Sequence, residues 1–192
     1  MSHFEKIKIL GNNGTNWHEI KIDTSTRTLN TIDYTHHEIH DGNHFYIEGF
    51  LMLSSGQVHR VKLTTPDSTK WAHFRWDIQS TGILETTLYE TASEGMLGGV
   101  SVTPLNSDRN SATTSGINLV SGVSSATGVG TLVSNRKWGA EGFKSNIGGG
   151  AGREDELILK QNEIYIRTFS SGAADNIVSF AATWYEHENK IA

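Results

Sequence analysis

Apolar and polar residues alternate with a period of two along much of this chain, as at Ile7 and Ile9, Ile20 and Ile22, and Val61 and Leu63. The same alternation runs through residues 71–78 (WAHFRWDI), 83–89 (ILETTLY), 156–159, 164–169 and 177–185 (IVSFAATWY), each run bounded by Gly, Asn, Asp or Ser. Side chains on a strand point to opposite faces in turn, so this pattern predicts short strands with one buried face. Many short strands with turn signals between them predict a β-sandwich or barrel rather than a parallel sheet with crossover helices. No long window carries a capped 3.6-residue period, so helix is expected to be limited to a turn or two. Lys160-Gln161-Asn162-Glu163 lies between two strand patterns (ELILK and IYIRTF) and predicts a hairpin turned at Gln161 and Asn162. Trp71 and Trp76 have opposite parity in one run, so one is expected in the core and the other on the far face.

Two regions depart from the pattern. Residues 95–152 are rich in Gly, Ser, Thr and Asn with single apolar residues, which predicts a long loop excursion holding short strands. Residues 1–40 read either as an N-terminal arm or as edge strands, and residues 41–192 as the sandwich domain. The 192 residues can bury a sizeable core, and twenty glycines against two prolines are the punctuation of tight turns. The formal charge of -5 is spread without basic stripes, so nucleic acid is not an expected partner. Without cysteine there is no disulfide, zinc-thiolate site or thiol catalysis. No apolar run approaches the roughly 20 residues of a membrane helix, and MSHFEKIKIL lacks the apolar core of a signal peptide. A near-neutral pI without an expected targeting segment is compatible with cytoplasm, and equally with a virus particle assembled there.

The densest chemistry is THHEIHDGNHF, residues 35–45. If its first half is extended, His36, Glu38 and His40 share a face and could offer two imidazoles and a carboxylate to a metal. The helical His-Glu-x-x-His motif is absent, because the order here is His-Glu-Ile-His. The spacing is a weak likeness of the first cupin motif, which would make the chain a metal-binding enzyme. The competing reading is a polar strand end whose histidines hydrogen-bond to backbone or line a subunit contact. Elsewhere, Gly148 to Gly152 is followed by no Gly-Lys-Ser/Thr and is no phosphate loop, and no Gly-x-Ser-x-Gly elbow occurs. No catalytic residue and no cofactor is expected.

Five stretches together resemble a family of tailed-phage virion proteins: HHEIHDGNHFYIEGF (36–50), LTTPDSTKWAHFRWDI (63–78), VTPLNSDRNS (102–111), GGGAGREDELILKQNEIYIRTFS (148–170) and VSFAATWYEH (178–187). The resemblance falls on His37, Glu38, His40, Gly42 and Phe45, on Thr65, Pro66 and Asp67, on Asn106, Arg109 and Asn110, and on Gly152, Arg153, Lys160, Gln161 and Asn162. It implies a non-enzymatic structural protein with an antiparallel sandwich of jelly-roll type, trimeric and placed on the outer shell of the head. There it would act as a capsid decoration or cement protein bound to the major capsid protein. His37, His40, His44, Phe45, Arg109, Asn110 and Arg153 are the residues expected at the subunit or capsid interface. A tail or fibre adaptor, or a carbohydrate-binding module of the virion using exposed tryptophans, is the alternative within the same setting.

Overall fold

The computed structural model describes residues 10–12, 17–19, 33–92, 98–123, 130–139, 147–149 and 155–188, with 10–12, 17–19 and 147–149 as backbone alone. The chain divides into two compact units, Met1–His37 and Glu38–Ala192. In the first, β1 (Leu10–Asn12) pairs antiparallel with β2 (Trp17–Glu19), Gly11 lying opposite His18.

The histidine-rich segment is helical rather than extended. Helix α1 (Tyr34–His40) starts at Asp33, whose Oδ1 accepts from the Thr35 amide at 2.9 Å, the bond an N-cap makes to an otherwise unpaired first-turn amide. It stops at Gly42, whose φ of +70° is left-handed. The Gly42 amide donates to Ile39 O at 3.0 Å and the Asn43 amide to Glu38 O at 2.9 Å, the two bonds of a Schellman cap. No long amphipathic face is needed, because both ends are fixed locally. Among the described residues no helix is long and apolar enough to cross a membrane.

The second unit holds β3 (His44–Leu53), β4 (Val58–Thr64), β5 (Lys70–Ser80), β6 (Leu84–Glu90), β7 (Val100–Val102), β8 (Leu105–Asn106), β9 (Asn118–Ser121), β10 (Thr131–Trp138), β11 (Ile147–Gly149), β12 (Leu157–Leu159), β13 (Ile164–Ser171) and β14 (Asn176–Glu188). One sheet has the order β8-β3-β14-β5-β11, with β12 also paired to β5; the other has the order β10-β6-β13-β4-β9-β7. Every pairing is antiparallel. β11 and β12 lie along successive stretches of β5, facing residues 78–80 and 72–74, and together make one interrupted strand. With β7, β8 and β9 set aside as an insertion, the eight remaining strands fall in the orders first-eighth-third-sixth and second-seventh-fourth-fifth. That is the double Greek key of a jelly roll, in which the chain crosses between sheets at nearly every turn.

The hairpin expected at Gln161 and Asn162 is corrected by this topology. Lys160-Gln161-Asn162-Glu163 is a tight turn, with Asn162 at φ +50°, but β12 belongs to one sheet and β13 to the other. The turn arches over the edge of the sandwich and is held there: Thr65 Oγ1 donates to Lys160 O at 2.7 Å, and the Asn162 amide to Pro66 O at 3.1 Å. The expected excursion 95–152 supplies the insertion and also β10, a full strand paired with β6 over residues 84–90.

The core lies between the sheets. Phe45, Ile47, Leu53, Phe74, Ile78, Val178 and Trp184 come from one, and Val61, Leu63, Leu84, Leu88, Leu119 and Phe169 from the other. Burying each such side chain contributes about 1.5–3 kcal/mol. Trp76 packs inward against Phe74 and Phe169 at centroid distances of 5.6 and 5.9 Å, while Trp71 takes the opposite face, as the parity required.

Candidate functional site

Two of the sequence motifs meet at one corner. β3 pairs with β8 through Phe45 opposite Asn106, which brings HDGNHF beside LNSDRN. Buried Asn106 donates from Nδ2 to Gly42 O at 2.8 Å and Thr113 O at 3.0 Å, and its Oδ1 accepts from the Asp108 amide at 2.9 Å. A Cβ on Gly42 would stand 2.4 Å from Ser111 Oγ. Asp108 Oδ1 in turn accepts from the Asn110 amide at 2.9 Å. These hydrogen bonds tie the loop after β8 to the start of β3. Arg109 and Asn110 are exposed on it, whereas Phe45, expected at an interface, is in the core with its ring 6.2 Å from Trp184. Its parity with Ile47 and Leu53 on β3 turns it inward.

The face-sharing argument for a metal fails with the strand it assumed. On a helix His36 and His40, four residues apart, share a side, and Glu38 lies on another, where it is buried at 1% exposure. His37 is half-buried and His40 exposed. Arg153 and Gly152 lie outside the described residues, as do the side chain of Trp17 and most of residues 1–40.

His44 is buried at the start of β3, its Nδ1 2.6 Å from Ser107 Oγ. Burial, with a smaller push from Arg75, lowers its pKa below the ordinary 6.5. A folded-state value below the unfolded one means that the unfolded chain takes up the proton first, so stability is fully present above about pH 6.5 and falls as pH drops through the folded value. Thermal melts at about pH 7 and about pH 5 are expected to show a smaller loss for His44→Asn than for the unaltered protein. Equal losses would remove this role.

On the outer face of the β3-β14-β5 sheet, His73 Nδ1 lies 2.7 Å from Glu156 Oε1, which also accepts from Tyr185 Oη at 2.8 Å. His73 Nε2 is 2.9 Å from His187 Nε2, and the His73 and Tyr185 rings stack at 4.5 Å. The group is a hydrogen-bonded network covering the sheet, with two imidazoles and one carboxylate that sequence spacing could not bring together.

A third feature lies between the sheets, at the edge where β10 faces β12. A recess of about 200 Å³ is lined by residues including Phe74, Trp76, Leu88, Trp138, Leu157 and Arg167. Arg167 is on the inward face of β13, between Tyr165 and Phe169, and is 4% exposed. Its Nη2 donates to Thr86 Oγ1 at 3.0 Å, and its guanidinium stands 5.7 Å from the Trp76 ring centre. Thr86 Oγ1 also accepts from Trp138 Nε1 at 2.9 Å. Arg167 Nε and Trp76 Nε1 are both buried with no acceptor among the described residues. Burial, and then the nearby charge of Arg136, pull the Arg167 pKa down to about 10. It remains a cation at neutral pH, and among the described residues no carboxylate is paired with it. The acid at the rim, Asp155, is paired with Arg136 and held below the usual carboxylate range by it. Sequence parity carried the signal: Tyr165, Arg167 and Phe169 alternate with outward residues, which puts a charge on a core face.

No family model, curated protein or solved structure matches this chain.

Proposed function

We propose that this chain is a non-enzymatic structural protein of a tailed-phage virion, a decoration protein that attaches to the outer surface of the assembled head. The observation that carries the reading is an apolar patch on the outer face of the β3-β14 pair. Phe50 and Met52 are 68% and 67% exposed, and Ile177, the cross-strand partner of Met52, is 43% exposed. Three large apolar side chains projecting together from a regular sheet are a docking surface rather than scattered surface residues. Covering one of them fully contributes about 1.5–3 kcal/mol, so a single copy binds weakly and a trimer on a threefold position binds strongly through effective concentration. A protein that binds the lattice and not the free capsid subunit stabilises the assembled state alone. The jelly roll and the motif likeness at His37–His40, Asn106–Asn110 and Lys160–Asn162 support the same setting.

Heads purified from the encoding phage after deletion of this gene are the test. Adding the purified protein at micromolar concentration is expected to place extra density on the outer shell, and Phe50→Glu with Met52→Glu to abolish it while the circular dichroism spectrum is kept. Density on the tail instead would favour the adaptor reading, and none at all would overturn both.

A further inference from the structure

We propose that His73 and His187, on the outer face of the β3-β14-β5 sheet, bind a divalent transition-metal ion of the Cu²⁺ or Ni²⁺ class through their two Nε2 atoms, with Glu156 as the residue that orients His73. The proposal stands independently of the virion reading.

The acceptors around each ring fix where its proton sits. His73 Nδ1 lies 2.7 Å from Glu156 Oε1, and a carboxylate oxygen only accepts, so His73 carries its proton on Nδ1. His187 Nδ1 lies 2.6 Å from the backbone carbonyl oxygen of Glu188, which also only accepts, so this ring too is protonated on Nδ1. In the neutral rings both Nε2 atoms are then bare, and they stand 2.9 Å apart. Two nitrogen lone pairs at that distance repel unless they share a positive centre, a proton or a metal ion. Tyr185 supports the arrangement: its Oη donates to Glu156 Oε1 at 2.8 Å, and its ring stacks on His73 at 4.5 Å.

The surroundings favour a metal. A carboxylate or backbone carbonyl behind the other ring nitrogen is the partner that metal-ligating histidines almost always have, because it fixes the tautomer and raises the basicity of the ligating atom. Both rings have one. An ion about 2.0–2.1 Å from each nitrogen sees the 2.9 Å pair at about 90°. That angle belongs to neighbouring positions of a square-planar or octahedral ion, and imidazole suits Cu²⁺ and Ni²⁺. A tetrahedral ion such as Zn²⁺ would hold the nitrogens about 3.3 Å apart. Strand register supplies the pair: Tyr185 lies opposite His73 and His187 opposite Trp71, so the two histidines are diagonal neighbours on one face of paired strands. The site is open to water, which completes the coordination, since the His73 side chain keeps 15% exposure and His187 is half-buried.

Long-range proton–nitrogen-15 spectra of the histidine rings, taken on the full chain without an affinity tag, are the test. Cu²⁺, Ni²⁺, Zn²⁺ and Mg²⁺ are titrated separately at neutral pH. Substoichiometric Cu²⁺ is expected to broaden the His73 and His187 rings before any other histidine, with Ni²⁺ and Zn²⁺ binding there more weakly and Mg²⁺ leaving both rings unchanged. His187→Gln is expected to keep the circular dichroism spectrum and lose the response at His73. Glu156→Ala leaves both ligands in place and is expected to weaken Cu²⁺ binding about 10–100-fold, and Glu156→Gln, which keeps an acceptor for His73 Nδ1, to weaken it less. Broadening that starts at His36, His37, His40 or His44, or that persists at His73 in His187→Gln, would overturn the proposal. So would a proton that stays on Nε2 of either ring as Cu²⁺ is added, because a shared proton would then be what holds the pair.

Discussion

Trp184→Ala is expected to cost about 3–5 kcal/mol, a large share of the stability of a domain of this size. Trp184 is 1% exposed and occupies the middle of the sandwich on β14, the central strand of its sheet. Its ring stacks on Phe74 at 5.1 Å and tilts against Phe45 at 6.2 Å, so truncation opens a cavity between two aromatics carried by the neighbouring strands. Its Nε1 also donates to Glu186 Oε1 at 2.9 Å. That buried carboxylate accepts in addition from Ser115 Oγ at 2.5 Å and the Gly116 amide at 3.0 Å, which tethers the loop after β8 to β14. The substitution therefore removes packing and one member of a buried polar group together. Urea unfolding followed by circular dichroism measures the loss, with Trp184→Phe as the control that keeps most of the ring volume. A loss for alanine no larger than that for phenylalanine would show that this region can collapse around the gap.

Alternation made the strands legible because one face of every strand in a sandwich is buried. That Trp71 and Trp76 take opposite faces follows from parity, and the packing of Trp76 on Phe74 and Phe169 decides which is inward. What parity could not supply was which sheet a strand joins. Leu157–Leu159 and Ile164–Ser171 each turn alternate residues toward the core whether they form a hairpin or an arch. The pairing of β12 with Phe74, His73 and Ala72 on β5 is a contact far along the chain. The short helix was hidden for a different reason. With Ile39 as the lone aliphatic residue in α1, it has no apolar stripe to read, and its specification sits in Asp33 and Gly42, outside the histidine run. Phe45 drew attention as a neighbour of those histidines, although its own strand places it with Ile47 in the core. The exposed patch was invisible because Phe50, Met52 and Ile177 are apolar on the face the alternation assigns to solvent. Only the register of β3 on β14 shows that they adjoin.

Asn176 carries the second large effect. At 1% exposure it begins β14, and its Oδ1 accepts from the Gly82 amide and lies within reach of Ser80 Oγ, both at 2.8 Å. Its Nδ2 donates to Ile83 O at 3.1 Å and Ser171 Oγ at 3.2 Å. One side chain thus ties the β5 to β6 crossover to the end of β13, and both are places where the chain changes sheet. Asn176→Ala leaves the Gly82 amide and the Ile83 carbonyl without these partners, at an expected cost of about 3 kcal/mol. Asn176→Asp is sharper, because it keeps the shape and exchanges the donating amide nitrogen for an oxygen facing the Ile83 carbonyl. Burial and that carbonyl favour the protonated form of the introduced carboxyl and are expected to outweigh the Gly82 amide and Ser80 hydroxyl, which favour the charged form, so its folded pKa lies above its unfolded one. The folded state then binds the proton more tightly, and the defect relative to the unaltered protein is expected to shrink as pH falls through the folded value. Urea midpoints at about pH 7 and about pH 4.5 measure this directly. A defect that stays constant or widens on acidification would mean that the Nδ2 bonds do not hold the crossover in place.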